Sequence, residues 1–190
     1  MRIHAGHTID NPVTGERIVF RETSAENGGR RVLFDTYVRP GGFVAAVHVH
    51  PYQVEWFEVE SGRHGMRLAH NVVELEAGDE ITVLNGTPHC FWNAGDEEVA
   101  FHSEIRPALQ FESLLTTMFA LAGEGRTNRR GMPNPVRLAV IAEAHFDTVR
   151  LPFPPAPLQR AGLAAGAALG RMLGYEAVRG FPLGSGTQAA

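Results

Sequence analysis

The chain has 190 residues, 44% of them hydrophobic, and a formal net charge of −4. That is enough chain to bury a core in one domain with an appendage, and it is too apolar for a disordered protein. The acidic balance leaves no basic footprint for nucleic acid, the single cysteine, Cys90, excludes an intrachain disulfide, and no run reaches the roughly 18 apolar residues of a membrane span. The first twelve residues lack the apolar stretch of a signal peptide, so a cytoplasmic location is expected.

Residues 8–106 read as strands. Short runs rich in β-branched and aromatic residues, RIVFR at 17–21, RVLFDTYV at 31–38 and VAAVHV at 44–49, are separated by turn signals such as Asn27-Gly-Gly, Pro40-Gly-Gly, Ser61-Gly, Asn85-Gly and Asn93-Ala-Gly. Many short strands with regular turns indicate a sandwich or barrel. After Arg106-Pro107 the spacing becomes helical. Residues 109–122 carry Phe111, Leu114, Leu115, Met118, Phe119 and Leu121 on a helical period, and glycines at 123 and 125 supply a stop. The basic cluster 126–130 is short and interrupted, and reads as a solvated loop. Pro133 and Pro135 introduce a second helix over 136–148. A proline-rich connector, 151–157, leads to a third over 158–175. The expected organisation is a β-barrel over 1–107 and a helical extension over 108–190 that packs on the barrel or on a dimer partner. Gly162, Gly166 and Gly170 form a small-residue stripe on the third helix that permits close approach, and a homodimer is expected. The last ten residues are small and polar and are expected to fray.

Two segments carry the chemistry. His48 and His50 are two apart, so on a strand both imidazoles face the same way. A turn at Pro51-Tyr52 lets the next strand return antiparallel and bring Glu55 opposite them. A second segment, GDEITVLNGTPHCFWN over 78–93, places His89 just after a turn at the start of another strand. Three neutral imidazoles and a carboxylate suit one divalent transition metal, Fe, Mn, Ni, Cu or Zn, with positions left open. His4, His7 and His145 stand outside these segments and read as surface or hydrogen-bonded core residues.

The two segments resemble the paired motifs of the cupin superfamily, G-x5-H-x-H-x4-E-x6-G and G-x5-P-x-G-x2-H-x3-N. Gly42, His48, His50, Glu55, Gly62, Gly78, Gly86, His89 and Asn93 fall at the required offsets. Leu84 stands where the family usually carries proline. The chain as a whole is similar to small single-domain cupins with a helical tail. The resemblance implies an all-β core, a double-stranded β-helix or jelly-roll barrel, with the metal inside near its mouth and an α-helical C-terminal extension.

Alternation nominates the pocket. Glu55 facing inward takes Phe57 and Val59 with it, and His89 takes Phe91. His64 and Tyr52 are the further pocket candidates, with His102 and Tyr37 behind them. Cys90 and Trp56 face away from the metal. The resemblance suggests a small-molecule oxygenase, dioxygenase-like, with Glu55 doubling as proton acceptor. A non-redox isomerase, decarboxylase or lyase, which needs a separate acid/base from His64, Tyr52 or His102, and a non-catalytic small-ligand-binding module are the alternatives.

Overall fold

In the computed structural model, residues 3–179 are described; the tail expected to fray lies outside them. Nine strands, β1 (Thr8–Asn11), β2 (Glu16–Glu22), β3 (Val32–Val38), β4 (Val54–Ser61), β5 (His64–Leu68), β6 (Asn71–Leu75), β7 (Glu80–Val83), β8 (His89–Asn93) and β9 (Val99–Arg106), make two antiparallel sheets. One has the order β1-β2-β3-β9-β4-β7 and the other β6-β5-β8. The sheets do not close on each other edge to edge, and their facing apolar sides give a jelly-roll core. Period-two burial explains the arrangement. Ile18 and Phe20 on β2, Phe57 and Val59 on β4, and Phe101 and Ile105 on β9 are buried, with more exposed residues between them. A short helix, α1 (Ser24–Asn27), joins β2 to β3 and is held by a capping box between Thr23 and Glu26.

The hairpin expected at Pro51-Tyr52 does not form. Residues 43–49 lie beside β8, where His48 and His89 exchange backbone hydrogen bonds of 3.0 and 2.9 Å and the Val44 amide donates to the Phe91 carbonyl. Strand β4 instead sits in the larger sheet, between β9 and β7. A hairpin keeps both arms in one sheet, whereas here the chain crosses from one sheet to the other. Pro51 lacks the amide a ladder needs. Gln53, fully buried, ties the corner by donating to the carbonyls of Pro107 and Ala108 at 2.8 and 3.0 Å. The histidines and Glu55 therefore approach from opposite sheets.

The helical spacing after Arg106 corresponds to α2 (Phe111–Gly123), α3 (Pro135–Ala144) and α4 (Ala156–Met172). Helix α2 lies on the barrel, with the Phe111 ring stacked 5.7 Å from that of Phe34. Asn134 caps α3 by accepting from the Arg137 amide at 3.0 Å. The glycine stripe of α4 meets α3 in the same chain: a Cβ at Gly166 would press on Ala139, and one at Gly170 on Val140 and on the Val136 carbonyl at 3.0 Å. That part of the stripe is consequently not a free surface for a second copy. A further tie joins the extension to the barrel, since Val49 and Arg150 exchange backbone hydrogen bonds of 2.9 and 3.1 Å. Among the described residues no helix is long and apolar enough to cross a membrane.

The glycines of α4 separate by role. Gly162 has nothing within 4 Å of its would-be Cβ. Gly162→Ala is expected to raise stability by about 0.5–1 kcal/mol through helix propensity, and Gly170→Ala to lower it by about 1–3 kcal/mol through overpacking. Chemical denaturation of both variants checks the opposite signs.

Candidate metal centre

Four side chains converge where the two sheets and the helical extension meet. His48 and His89 come from the bridge beside β8, His50 from the corner, and Glu55 from the start of β4. One donor atom from each lies within 4.8 Å of all the others. The ring centroids of His48 are 4.3 Å from His89 and 5.0 Å from His50.

The imidazoles are oriented by backbone carbonyls. The Nδ1 of His48 lies 2.9 Å from the Ala46 carbonyl, that of His89 2.9 Å from the Thr87 carbonyl, and that of His50 2.8 Å from the Thr148 carbonyl. A carbonyl only accepts, so the proton is assigned to Nδ1 and the Nε2 lone pair is left for the site. The Gln53 Oε1 adds a second acceptor to His50 at 3.2 Å. This is the outer support that histidine ligands carry in metal sites. Nε2 of His89 stands 3.1 Å and Nε2 of His50 3.5 Å from Glu55 Oε2, and the His50 Nε2 is buried with no hydrogen-bond partner.

Three lone pairs and a carboxylate aimed at one buried point repel unless a cation stands among them. The donor set fits a divalent transition metal on that ground. Titration follows the same crowding. Burial drives His48 down to about 3, helped by the neighbouring His89 and His50 imidazoles, whose protonation would compete with its own. Burial pushes the Glu55 carboxyl upward, but the adjacent His50 and His89 imidazoles outweigh it and hold it well below the usual carboxylate range. For His89, burial lowers the pKa, and the adjacent Glu55 more than reverses that.

The site opens into a cavity of about 280 Å³. Phe57 and Phe91 line it, as do Phe34 and Phe101 from the barrel and Leu115, Met118 and Ile141 from the helices. His64 does not. It is wholly buried behind Phe57, Phe91 and Phe101, with ring centroids 5.7, 5.4 and 4.4 Å away, neither nitrogen has a partner, and burial lowers it to about 4. Tyr52 is 60% exposed and also lies off the cavity wall. His102 bonds Asp35 at 2.9 Å, and Tyr37 lies under the Arg17 guanidinium at 4.5 Å. Cys90 is half-buried, and burial raises its thiol. His145 is a buried residue that contacts the Ile141 carbonyl and the Ser113 hydroxyl, each at 2.8 Å. Leu84 is exposed, and the turn it enters still links the two motifs, because the Gly86 amide donates to the His50 carbonyl at 2.8 Å.

Residues 34–103 match the family model described as the cupin domain. The barrel is a cupin domain. Partial similarity extends to solved structures. One is an uncharacterised double-stranded β-helix protein of Klebsiella pneumoniae, at 26% identity over 57% of this chain and 84% of that one, with a TM-score of 0.42. A predicted oxalate decarboxylase of Thermotoga maritima has 20% identity over 55% and 93%, with a TM-score of 0.48. A protein of Bacillus halodurans has 20% identity over 42% of this chain, which spans 64% of that one, with a TM-score of 0.40. No curated protein matches the chain in sequence.

The interior of this cupin holds groups the motif does not contain. Thr148 supports His50 from outside the motif, and Gln53 from one of its unspecified positions. Arg150 and the α2 and α3 side chains complete the cavity wall, and pairing across about a hundred residues leaves no local signal. Glu16 had a visible signal, a carboxylate in phase with Ile18 and Phe20. Its side chain is buried on the cavity wall and accepts a hydrogen bond of 2.6 Å from the Thr14 hydroxyl. Burial raises its pKa from 4.5 to about 7, against a smaller lowering by Thr14. Between those values the folded state holds a proton that the unfolded state has lost, so stability falls as pH rises through that window. Relative to Glu16→Gln, the wild type is expected to lose on the order of 3 kcal/mol from pH 4.5 to above 7, measured by urea unfolding of both proteins across that range.

Proposed function

We propose that this cupin holds one divalent metal at His48, His50, Glu55 and His89 and is an oxygenase for a small molecule with an apolar body. The observation that carries the reading is a mostly apolar cavity into which the donor cluster opens, with no acid/base candidate outside the cluster nearer than Glu16 among the described residues. Among the described residues, the titratable groups on the cavity wall other than His48, His50 and Glu55 are Glu16 and Arg150. Glu16 sits on β2, three strands from the strand that carries Glu55, and the candidates a lyase or isomerase needs, His64, Tyr52 and His102, lie off the wall. A redox-active divalent metal supplies Lewis acidity and an electron couple for activating dioxygen. The protein's own residues do the rest. The apolar walls exclude water and hold the substrate body, and the backbone carbonyls keep the three imidazoles neutral and aimed. Glu55 is the group placed to receive the proton that an enolic or phenolic hydroxyl gives up.

Protein purified without added metal is expected to carry close to one iron or manganese per chain by elemental analysis. It should also consume oxygen when given a member of a panel of enolic and phenolic compounds. His89→Ala is expected to weaken metal binding by more than the roughly 10–100-fold typical of a lost outer partner, read by chelator competition. Stoichiometric zinc together with no oxygen uptake across the panel counts against the oxygenase.

A further inference from the structure

The inward face of the six-stranded sheet is apolar except along one line. Glu55 on β4 pairs with Ile105, and Ser103 lies two residues along β9 on the same face. Ser103 pairs with Phe34, and Thr36 lies two along β3; Thr36 pairs with Ile18, and Glu16 lies two along β2. Each step moves one strand across and one inward position along, so consecutive members are diagonal neighbours, with Cα atoms roughly 7–8 Å apart. Asn11 on β1 faces Glu16 directly. Glu55, Ser103, Thr36, Glu16 and Asn11 all border the cavity, and the inward positions flanking the line, Ile18, Phe34, Phe57, Phe101 and Ile105, are apolar.

Two members make no sense as packing. The Oγ1 of Thr36 and the Oγ of Ser103 are buried and have no hydrogen-bond partner among the described residues. A buried hydroxyl left unpaired destabilises a fold, while an apolar residue of the same shape does not. Two such hydroxyls on adjacent strands, in line with a metal-donor carboxylate at one end and a buried carboxyl at the other, break the local rule together. Such breaks belong to function.

We propose that Ser103 and Thr36, with Glu16 beyond them, form a polar track that receives an alcohol group of the ligand. The ligand class is a molecule with a metal-chelating pair of oxygens at one end, an apolar body, and a hydroxyl one or two diagonal steps away. The chelating end rests on the metal reading given above; the hydroxyl end rests on the orphaned side chains alone.

A matched pair of probes tests it, 4-propylcatechol and 4-(3-hydroxypropyl)catechol, titrated calorimetrically into the full chain loaded with redox-inert zinc. The wild type is expected to bind the hydroxylated probe at least tenfold more tightly. Ser103→Ala and Thr36→Val should each reduce that preference and together abolish it, leaving the affinity for 4-propylcatechol and for zinc unchanged. Equal binding of the two probes to the wild type, no binding of either to zinc-loaded protein, or a preference that survives both substitutions overturns the track. Melting temperatures without any probe give an independent reading. Ser103→Ala and Thr36→Val are expected to raise them, and a fall in both means that the hydroxyls serve the fold and overturns the proposal. Zinc binding is measured separately by competition with a chromophoric chelator. If the wild type binds none, the metal reading fails, and the melting temperatures still decide for or against the hydroxyls.

Discussion

Placing a carboxylate and three imidazole lone pairs within 4.8 Å of one another, with His50, Glu55 and His89 buried and His48 partly so, is the constraint on which the rest of the structure turns. Each ionised group costs several kcal/mol to bury even after the protein relaxes. Such a cluster persists only if every other hydrogen-bonding atom of its members is satisfied and the centre itself takes a cation. For the histidines the first condition is met by carbonyls from three separate stretches of chain, at Ala46, Thr87 and Thr148. Two of them are local, reached by a histidine from the residue two before it. The third lies 98 residues away. A barrel alone orients His48 and His89, while His50 needs the segment that follows the helices.

That dependence changes the status of the helical extension. Residues 148–150 bond the His50 ring and pair with the backbone of Val49, while α2 and α3 supply one wall of the cavity. A shift of the helices therefore moves a candidate metal donor and the cavity wall together. The close α3–α4 contact at Gly166 and Gly170 acts in the same direction, because a helix pair without room for a Cβ has little freedom to slide. The extension is a structural part of the site, fastened to the donors by backbone groups that no side-chain substitution removes.

The legible part of the site was the part written in short-range spacing. His48, His50, Glu55 and His89 stand at fixed offsets inside two short segments, and the three helices follow from a 3.6-residue period with proline and glycine at their ends. The misread part depended on pairing. Residues 44–49 look like one arm of a hairpin because Pro51-Tyr52 resembles a turn, yet the partner strand is β8, some forty residues on. His64 shows a second limit. Alternation correctly turns it inward, with Met66, but it cannot say how deep along the barrel an inward residue sits, and three phenylalanines stand between it and the cavity. Ser103 stands in phase with Phe101 and Ile105 in the sequence, but spacing cannot show that its hydroxyl has no partner among the described residues.

The second buried carboxyl bears on the first. Two ionised carboxylates sharing one low-dielectric interior would each disfavour the other's charge, and both would compete for any cation that entered. Burial resolves this at Glu16 by raising its pKa to about 7, while the histidines beside Glu55 hold that group ionised. Up to near-neutral pH, then, Glu55 is the single anionic group on the cavity wall among the described residues, and it lies at the end where the imidazoles converge. Glu16 is left as a neutral carboxyl at the other end, fixed by the Thr14 hydroxyl and flanked by Asn11. The diagonal of inward polar residues thus runs from a charged end suited to a metal toward an uncharged end suited to hydrogen bonding. The register of four strands, more than any one residue, places the two ends in the same cavity.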